Sequence, residues 1–369
     1  MFYSCSPGSS TLSVSSGGSS RASASGKRLT VDLHCHVYVP AAEEAVADAF
    51  EMETDLLFKF ANEATREVNR KQAQAIFDKL TSVETRLADM DNMAIDIQAV
   101  SPAPLQYYYA LEPDLGRTAA QIINDHIAEL VDAHPDRFVG LGTVPMQEPD
   151  LAVAELDRAV RELGLRGVEI CTSVAGEELS NDRFRKFFAK AEELDTLIFM
   201  HPNGFSDGGR LNDHYFINVI GNPLDTTVAV SHLIFGGVLD AYPSLKICVA
   251  HGGGFLPAYS GRIDHAHARR EDCRRRITEK PTSYLRKLYF DTVVFTEHQL
   301  EYLVSLYGSD HIVLGTDYPY DMGMDDPVGF VEGASALSAA DKAAIVGGNA
   351  ARLLGISDQV IAKSTNDPS

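Results

Sequence analysis

Two histidines two residues apart, His34 and His36, end the apolar run Val31-Asp-Leu-His-Cys-His36. In an extended strand residues i and i+2 face the same side, so this pair offers two imidazoles to one point, half of a divalent-metal site. Three further residues able to bind metal or carry a proton follow apolar runs directly: His201 after Thr196–Met200, His251 after Leu245–Ala250, and Asp317 after His311–Thr316. A lone histidine in an apolar run is ordinarily a satisfied core residue. Five such groups at equivalent strand ends describe a site. Imidazole and carboxylate donors without a thiolate suit one Zn²⁺, or another divalent ion such as Mn²⁺, per chain, and three to four protein ligands leave a position open for chemistry.

The elements that must position these groups are legible as eight apolar runs. They cover Leu29–His36, Ala94–Pro102, Phe138–Val144, Gly167–Cys171, Thr196–Met200, Leu245–Ala250, Leu288–Val293 and His311–Thr316. Helical segments alternate with them, including a charged one over Arg262–Arg276, which predicts parallel crossovers and an α/β fold, a (β/α)8 TIM barrel with its chemistry at the C-terminal strand ends. A long helical insertion, about residues 41–93, follows the first strand and reads as a cap over the barrel mouth. Three short C-terminal helices close the chain. Residues 1–27 are Ser/Gly-rich and lack acidic side chains, the composition of a disordered leader. Residues 28–369 form one catalytic domain.

With 45% hydrophobic residues the chain can bury a sizeable core, and 52 acidic against 32 basic residues give a net charge of -20. That charge opposes nucleic acid and anionic membranes as partners. No run reaches the roughly 18–20 apolar residues that span a bilayer. The five cysteines have no C-x-x-C spacing, and an odd number in so large a chain reads as reduced thiols in a cytoplasmic protein. Cys35 alternates away from the two histidines and should pack under the helices.

Taken together, Thr30-Val-Asp-Leu-His-Cys-His36, His201-Pro202, Ala250-His-Gly-Gly-Gly254 and Gly315-Thr-Asp-Tyr-Pro319 resemble the amidohydrolase superfamily, within it the branch of aminocarboxymuconate-semialdehyde decarboxylase and related aromatic acid decarboxylases. The resemblance runs over nearly all of residues 29–356. It implies that His34, His36, His201 and Asp317 hold the metal and that His251, with Asp317, does the catalysis. It also implies that Arg262, eleven residues after His251, reaches the substrate carboxylate of a neighbouring subunit, making the protein a homodimer or higher homo-oligomer. Arg70, seven residues before Phe77, stands where that branch has a further substrate-binding arginine, although its surroundings match poorly. Asn203 replaces a tryptophan, so the pocket wall differs.

Tyr107 and Phe295 fall in loops at the mouth, where aromatic rings can stack on a ring substrate, and the Gly252–Gly254 amides could meet a bound carboxylate. The expected activity is nonoxidative decarboxylation of an aromatic or muconate-type acid, a small-molecule carboxylic acid substrate. The alternative is hydrolysis of a lactone, amide or imine at the same site. Binuclear hydrolases of the superfamily usually carry a strand-four lysine between two ions. Here the segment is Gly167-Val-Glu-Ile-Cys171, leaving Glu169 as the group that could hold a second ion.

Overall fold

The computed structural model describes residues 28–51 and 55–357, so the expected leader lies outside the described residues. Eight parallel strands carry the architecture: β1 Val31–Val37, β2 Ile97–Pro102, β3 Phe138–Gly142, β4 Gly167–Ile170, β5 Leu197–Met200, β6 Lys246–Val249, β7 Tyr289–Asp291 and β8 Ile312–Val313, paired in that order. The edges meet. Leu33 N–H donates to Leu314 O at 2.9 Å, Asp317 N–H to His34 O at 2.8 Å and His36 N–H to Tyr318 O at 2.9 Å, closing the barrel.

Helices α1 Pro40–Val46, α2 Leu56–Lys59, α3 Glu63–Thr81 and α4 Val83–Asn92 lie between β1 and β2. Around the barrel follow α5 Pro113–Ala133, α6 Pro149–Arg161, α7 Arg185–Glu193, α8 Asn222–Phe235, α9 Val238–Ala241, α10 Leu256–Arg269, α11 Pro281–Leu285 and α12 Glu297–Tyr307. The chain ends with α13 Pro327–Gly333, α14 Ala339–Ala343 and α15 Asn349–Leu354. Local signals set several starts: Asp55, Asn62 and Ser82 cap α2, α3 and α4 through their side chains, each satisfying an N–H that the helix itself leaves unpaired.

Strand alternation sorts the apolar residues into two layers. Val31, Leu33, Ile97, Ala99, Leu141, Leu197, Phe199, Cys248 and Val313 form one cluster with Ala350, Leu353 and Leu354 of α15. Their neighbours, among them Val100, Val168, Ile198, Ile247 and Ile312, join the larger cluster beneath the helices. Each fully buried large aliphatic or aromatic side chain contributes about 1.5–3 kcal/mol.

Three local outcomes depart from simple sequence reading. The β1 register shifts between Asp32 and Cys35, so Leu33 belongs to the inner cluster while Cys35 and Val37 belong to the outer one. This irregularity lets His34 and His36 face inward although Leu33 does so too. The eighth strand is short against β7, and its continuation pairs with β1 instead. The charged helix starts at Leu256, with Pro257 in its first turn, where the missing N–H costs nothing, and ends at Arg269.

Candidate metal centre

Each strand that carries a site residue ends at the same rim of the barrel. The rings of His34 and His201 approach to 4.9 Å between centroids, as do those of His36 and His201 and of His201 and His251. Asp317 lies among them. Its Oδ1 is 3.3 Å from both His34 Nε2 and His36 Nε2, and its Oδ2 is 3.5 Å from His251 Nε2. One ligand atom each from His34, His201, His251 and Asp317 falls within a mutual 4.8 Å. His251 therefore stands as close to a common centre as the residues expected to be ligands, while His36 stands outside that mutual distance with its Nε2 beside Asp317.

The donor set fits a divalent cation. His34 Nε2, His36 Nε2, both ring nitrogens of His201 and His251 Nδ1 are buried with no hydrogen-bond partner among the described residues. Unpaired buried imidazole nitrogens are costly unless something binds them. Burial and the neighbouring His36, His251 and His34 rings hold His201 far below the usual histidine pKa, so its ring is neutral and its lone pair available. Asp317 behaves oppositely: burial opposes its ionisation, but the adjoining His34, His251 and His36 rings hold the carboxyl well below the ordinary range.

Outer contacts orient these groups. His34 Nδ1 lies 2.6 Å from Asp291 Oδ2, and His36 Nδ1 lies 3.0 Å from Pro102 O, which turns each Nε2 toward the centre. Asp291 is buried at the end of β7 and also accepts the N–H groups of His251 at 2.9 Å, Gly252 at 2.8 Å and Val293 at 3.1 Å. Two site residues, His251 at φ 54° and Asp317 at φ 57°, hold left-handed backbone, a strained state that persists only when surroundings enforce it. Asp291 does so for His251, and the His34 carbonyl does so for Asp317. The change Asp291→Asn should lower metal affinity by about 10- to 100-fold, measured by Zn²⁺ competition titration, because His34 loses its carboxylate partner.

Other expected residues are distributed unevenly. Tyr107 is buried beside the cluster, its hydroxyl donating to Glu169 and lying 3.2 Å from His201 O. Phe295 is 51% exposed past β7. Arg262 lies exposed on α10, while Arg70 lies on α3, ion-paired with Glu63 at 2.8 Å and Glu67 at 2.9 Å. Glu169 is buried, its pKa raised by burial, and its Oε2 lies 3.6 Å from His36 Nδ1, the nitrogen turned away from the centre. Among the described residues it stands outside the four-residue cluster.

The glycine amides are already committed: Gly252 N–H to Asp291, Gly253 N–H to Ala250 O and Gly254 N–H to His251 O. The run is needed for close packing, since a Cβ on Gly252, Gly253 or Gly254 would meet Val294, Phe290 or the Pro223 carbonyl at 2.4, 2.7 or 2.3 Å. Asp291 escaped the sequence reading because it lies inside the seventh run, Leu288–Val293, and only the structure ends the strand at it.

Residues 31–356 match the family described as Amidohydrolase. Over 274 residues, 74% of this chain and 76% of the relative, the sequence is 36% identical to a 2-amino-3-carboxymuconate-6-semialdehyde decarboxylase of Dictyostelium discoideum. The 5-carboxyvanillate decarboxylase of Sphingomonas paucimobilis has the same fold, with a TM-score of 0.81, 26% identity and coverage of 90% of this chain and 100% of that one. A 5-carboxyvanillate decarboxylase of Novosphingobium aromaticivorans, complexed with manganese and 4-hydroxy-3-methoxy-5-nitrobenzoic acid, matches with a TM-score of 0.78 at 25% identity, covering 89% and 96%. The chain thus belongs to the amidohydrolase family, in the branch that includes the aminocarboxymuconate-semialdehyde decarboxylases. The cluster can hold a divalent ion, Zn²⁺ or Mn²⁺.

Proposed function

We propose that this protein is a metal-dependent, nonoxidative decarboxylase of an aromatic or muconate-type carboxylic acid. The observation that carries the reading is the convergence of three buried imidazoles and the half-buried His251, with unpaired nitrogens, on one carboxylate in a chain related to such decarboxylases. His34, His36, His201 and Asp317 hold the ion. Held there, a divalent ion would supply a Lewis acid beside a substrate oxygen next to the departing carboxylate, stabilising the charge left on the substrate when CO₂ departs. His251 delivers the proton to carbon from Nε2, the nitrogen 3.5 Å from Asp317 Oδ2. Asp317 keeps that ring turned inward, and Tyr107, tied to Glu169, forms a fixed wall.

Arg262 supplies a cation to the substrate carboxylate of a second copy in a homodimer. Its exposure, beside exposed Phe255 and Tyr259 on the same helix face, supports that placement. Arg70 would have to leave its two glutamates to serve the same end, and Phe295 is available to cover a ring. The insertion acts as a cap: Asp55 bonds Asn203, two residues past His201, at 2.7 Å, and Asn62 N–H bonds Asn212 O at 3.1 Å. Among the described residues no helix is long and apolar enough to cross a membrane. Three buried thiols, Cys35, Cys171 and Cys248, and the half-buried Cys273 are free, which supports a cytoplasmic setting.

The activity is tested with a panel of ortho-hydroxy and ortho-amino aromatic acids and muconate-type acids in D₂O. At least one should release CO₂ and take deuterium at the carbon that lost it, since the incoming proton comes from an exchangeable group. Opening of lactones or amides with one oxygen from labelled water, and no CO₂ from the panel, would replace this reading with the hydrolase.

Binding should also release protons. In the metal-free chain burial works against a charged His34, but Asp317 and Asp291 outweigh it and push its pKa up to about 10. Metal needs the neutral ring, so below that pH a proton must leave. Between about pH 7 and 9, Zn²⁺ affinity should rise about tenfold per pH unit, read by competition titration. An unperturbed imidazole would instead lose metal only below about pH 6.

A further inference from the structure

The backbone of His36 poses a hydrogen-bonding problem. Its N–H continues the ladder to Tyr318, in which His34 O accepts from both Thr316 and Asp317. Two residues on, His36 O should meet the next donor from that segment. No residue of that segment can supply it, because Tyr318 N–H donates to Thr316 Oγ1 at 3.1 Å, residue 319 is proline and Tyr320 N–H donates to Asp317 O at 3.0 Å. A buried carbonyl left unpaired costs about 1–3 kcal/mol.

Arg86, from α4 of the insertion, fills the gap. Its Nη2 donates to His36 O and, at 3.2 Å, to Lys79 O, while Nη1 donates to Gln98 Oε1 at 3.0 Å. The residue is only 2% exposed, and its guanidinium lies 4.9 Å from the centroid of the Tyr318 ring. That ring is pinned in turn by its hydroxyl, 2.8 Å from Asp89 Oδ2. Gln98 passes the contact on to Asp32 at 3.0 Å, and Asp32 accepts from His34 N–H, Thr316 N–H and Thr316 Oγ1 at 3.1, 3.1 and 2.7 Å. Burying a guanidinium is expensive, and packing alone would be served as well by an apolar side chain.

We infer that Arg86 is a positioning residue of the metal centre, holding the His36 backbone and the Tyr318 ring so that His36 and Asp317 meet at one point. It acts from outside the barrel. The insertion therefore shapes the centre from behind as well as covering the mouth. The inference rests on the ligand set proposed above.

The test titrates metal-stripped protein with Zn²⁺ against a chromophoric chelator, and records the EPR spectrum of bound Mn²⁺, for Arg86→Met, Arg86→Lys and Tyr318→Leu with His36→Ala as the control. Arg86→Met should bind Zn²⁺ about 10- to 100-fold more weakly and alter the Mn²⁺ spectrum, the scale on which supporting contacts act. Arg86→Lys should recover part of the loss, since one ammonium can still reach the His36 carbonyl. Tyr318→Leu should weaken binding by a smaller factor, and it decides the matter if Arg86→Met does not fold. Wild-type Zn²⁺ affinity in the folded Arg86 or Tyr318 variant, alongside a loss in His36→Ala, would overturn the positioning role. Wild-type affinity in His36→Ala would instead overturn the ligand set on which the inference stands.

Discussion

Asparagine in place of His251 should lower kcat by about 10²- to 10⁴-fold at saturating substrate while leaving about one metal per chain, the signature of a lost general acid. The structure makes the second half of that expectation the sharper one. His251 Nε2 lies no farther from Asp317 than a shared ligand would require, and the ring is grouped with His34 and His201 as tightly as Asp317 is. Its peptide N–H is fixed by Asp291, so the loop should survive the change. Metal content measured beside kcat separates the roles. Retention with a slow rate makes His251 the proton carrier, whereas loss of metal with loss of rate makes it a ligand.

The larger effect belongs to the centre itself. Removing the metal by chelation, or substituting His201→Ala, should reduce turnover to background, and adding Zn²⁺ or Mn²⁺ back should restore only the chelated wild type. His201 is the histidine with both nitrogens unpaired and with its neutral form favoured by burial. No other group in the cluster can replace it, because His34 and His36 are each turned by an outer partner on Nδ1. Elemental analysis should fall from about one metal per chain toward none in His201→Ala. Full activity in metal-free protein would refute the metal-dependent reading.

Much of this was legible in the chain because strands announce themselves by short apolar runs and site residues by what ends those runs. His201 and His251 each stand one residue past a continuous hydrophobic segment, and such signals are local. The β1 irregularity was not legible, because periodicity assigns faces by counting and a register shift changes the count. Arg86 was hidden for a related reason: in sequence it is one charged residue in a charged helix, and only the fold shows that proline at 319 leaves it a carbonyl to satisfy. The glycine run misled in the opposite sense. Its conformational freedom suggested amides open to a ligand; the freedom is used, at φ 59°, 82° and 66°, but in a tight turn packed against Val294, Phe290 and Pro223.

Barrel closure also bears on when this protein can begin to work during synthesis. Thr316 and His34 are 282 residues apart in the chain yet hydrogen-bonded at the rim, and Asp317 follows directly. Joining points that distant costs on the order of 5 kcal/mol of chain entropy from the logarithmic length dependence alone. Nothing shorter assembles the centre, because the carboxylate that gathers the histidines arrives with the final strand. A nascent chain therefore holds its imidazoles uncollected until nearly all of the barrel has been made, and metal capture becomes one of the last events of folding, a late reporter that the first and last strands have found each other.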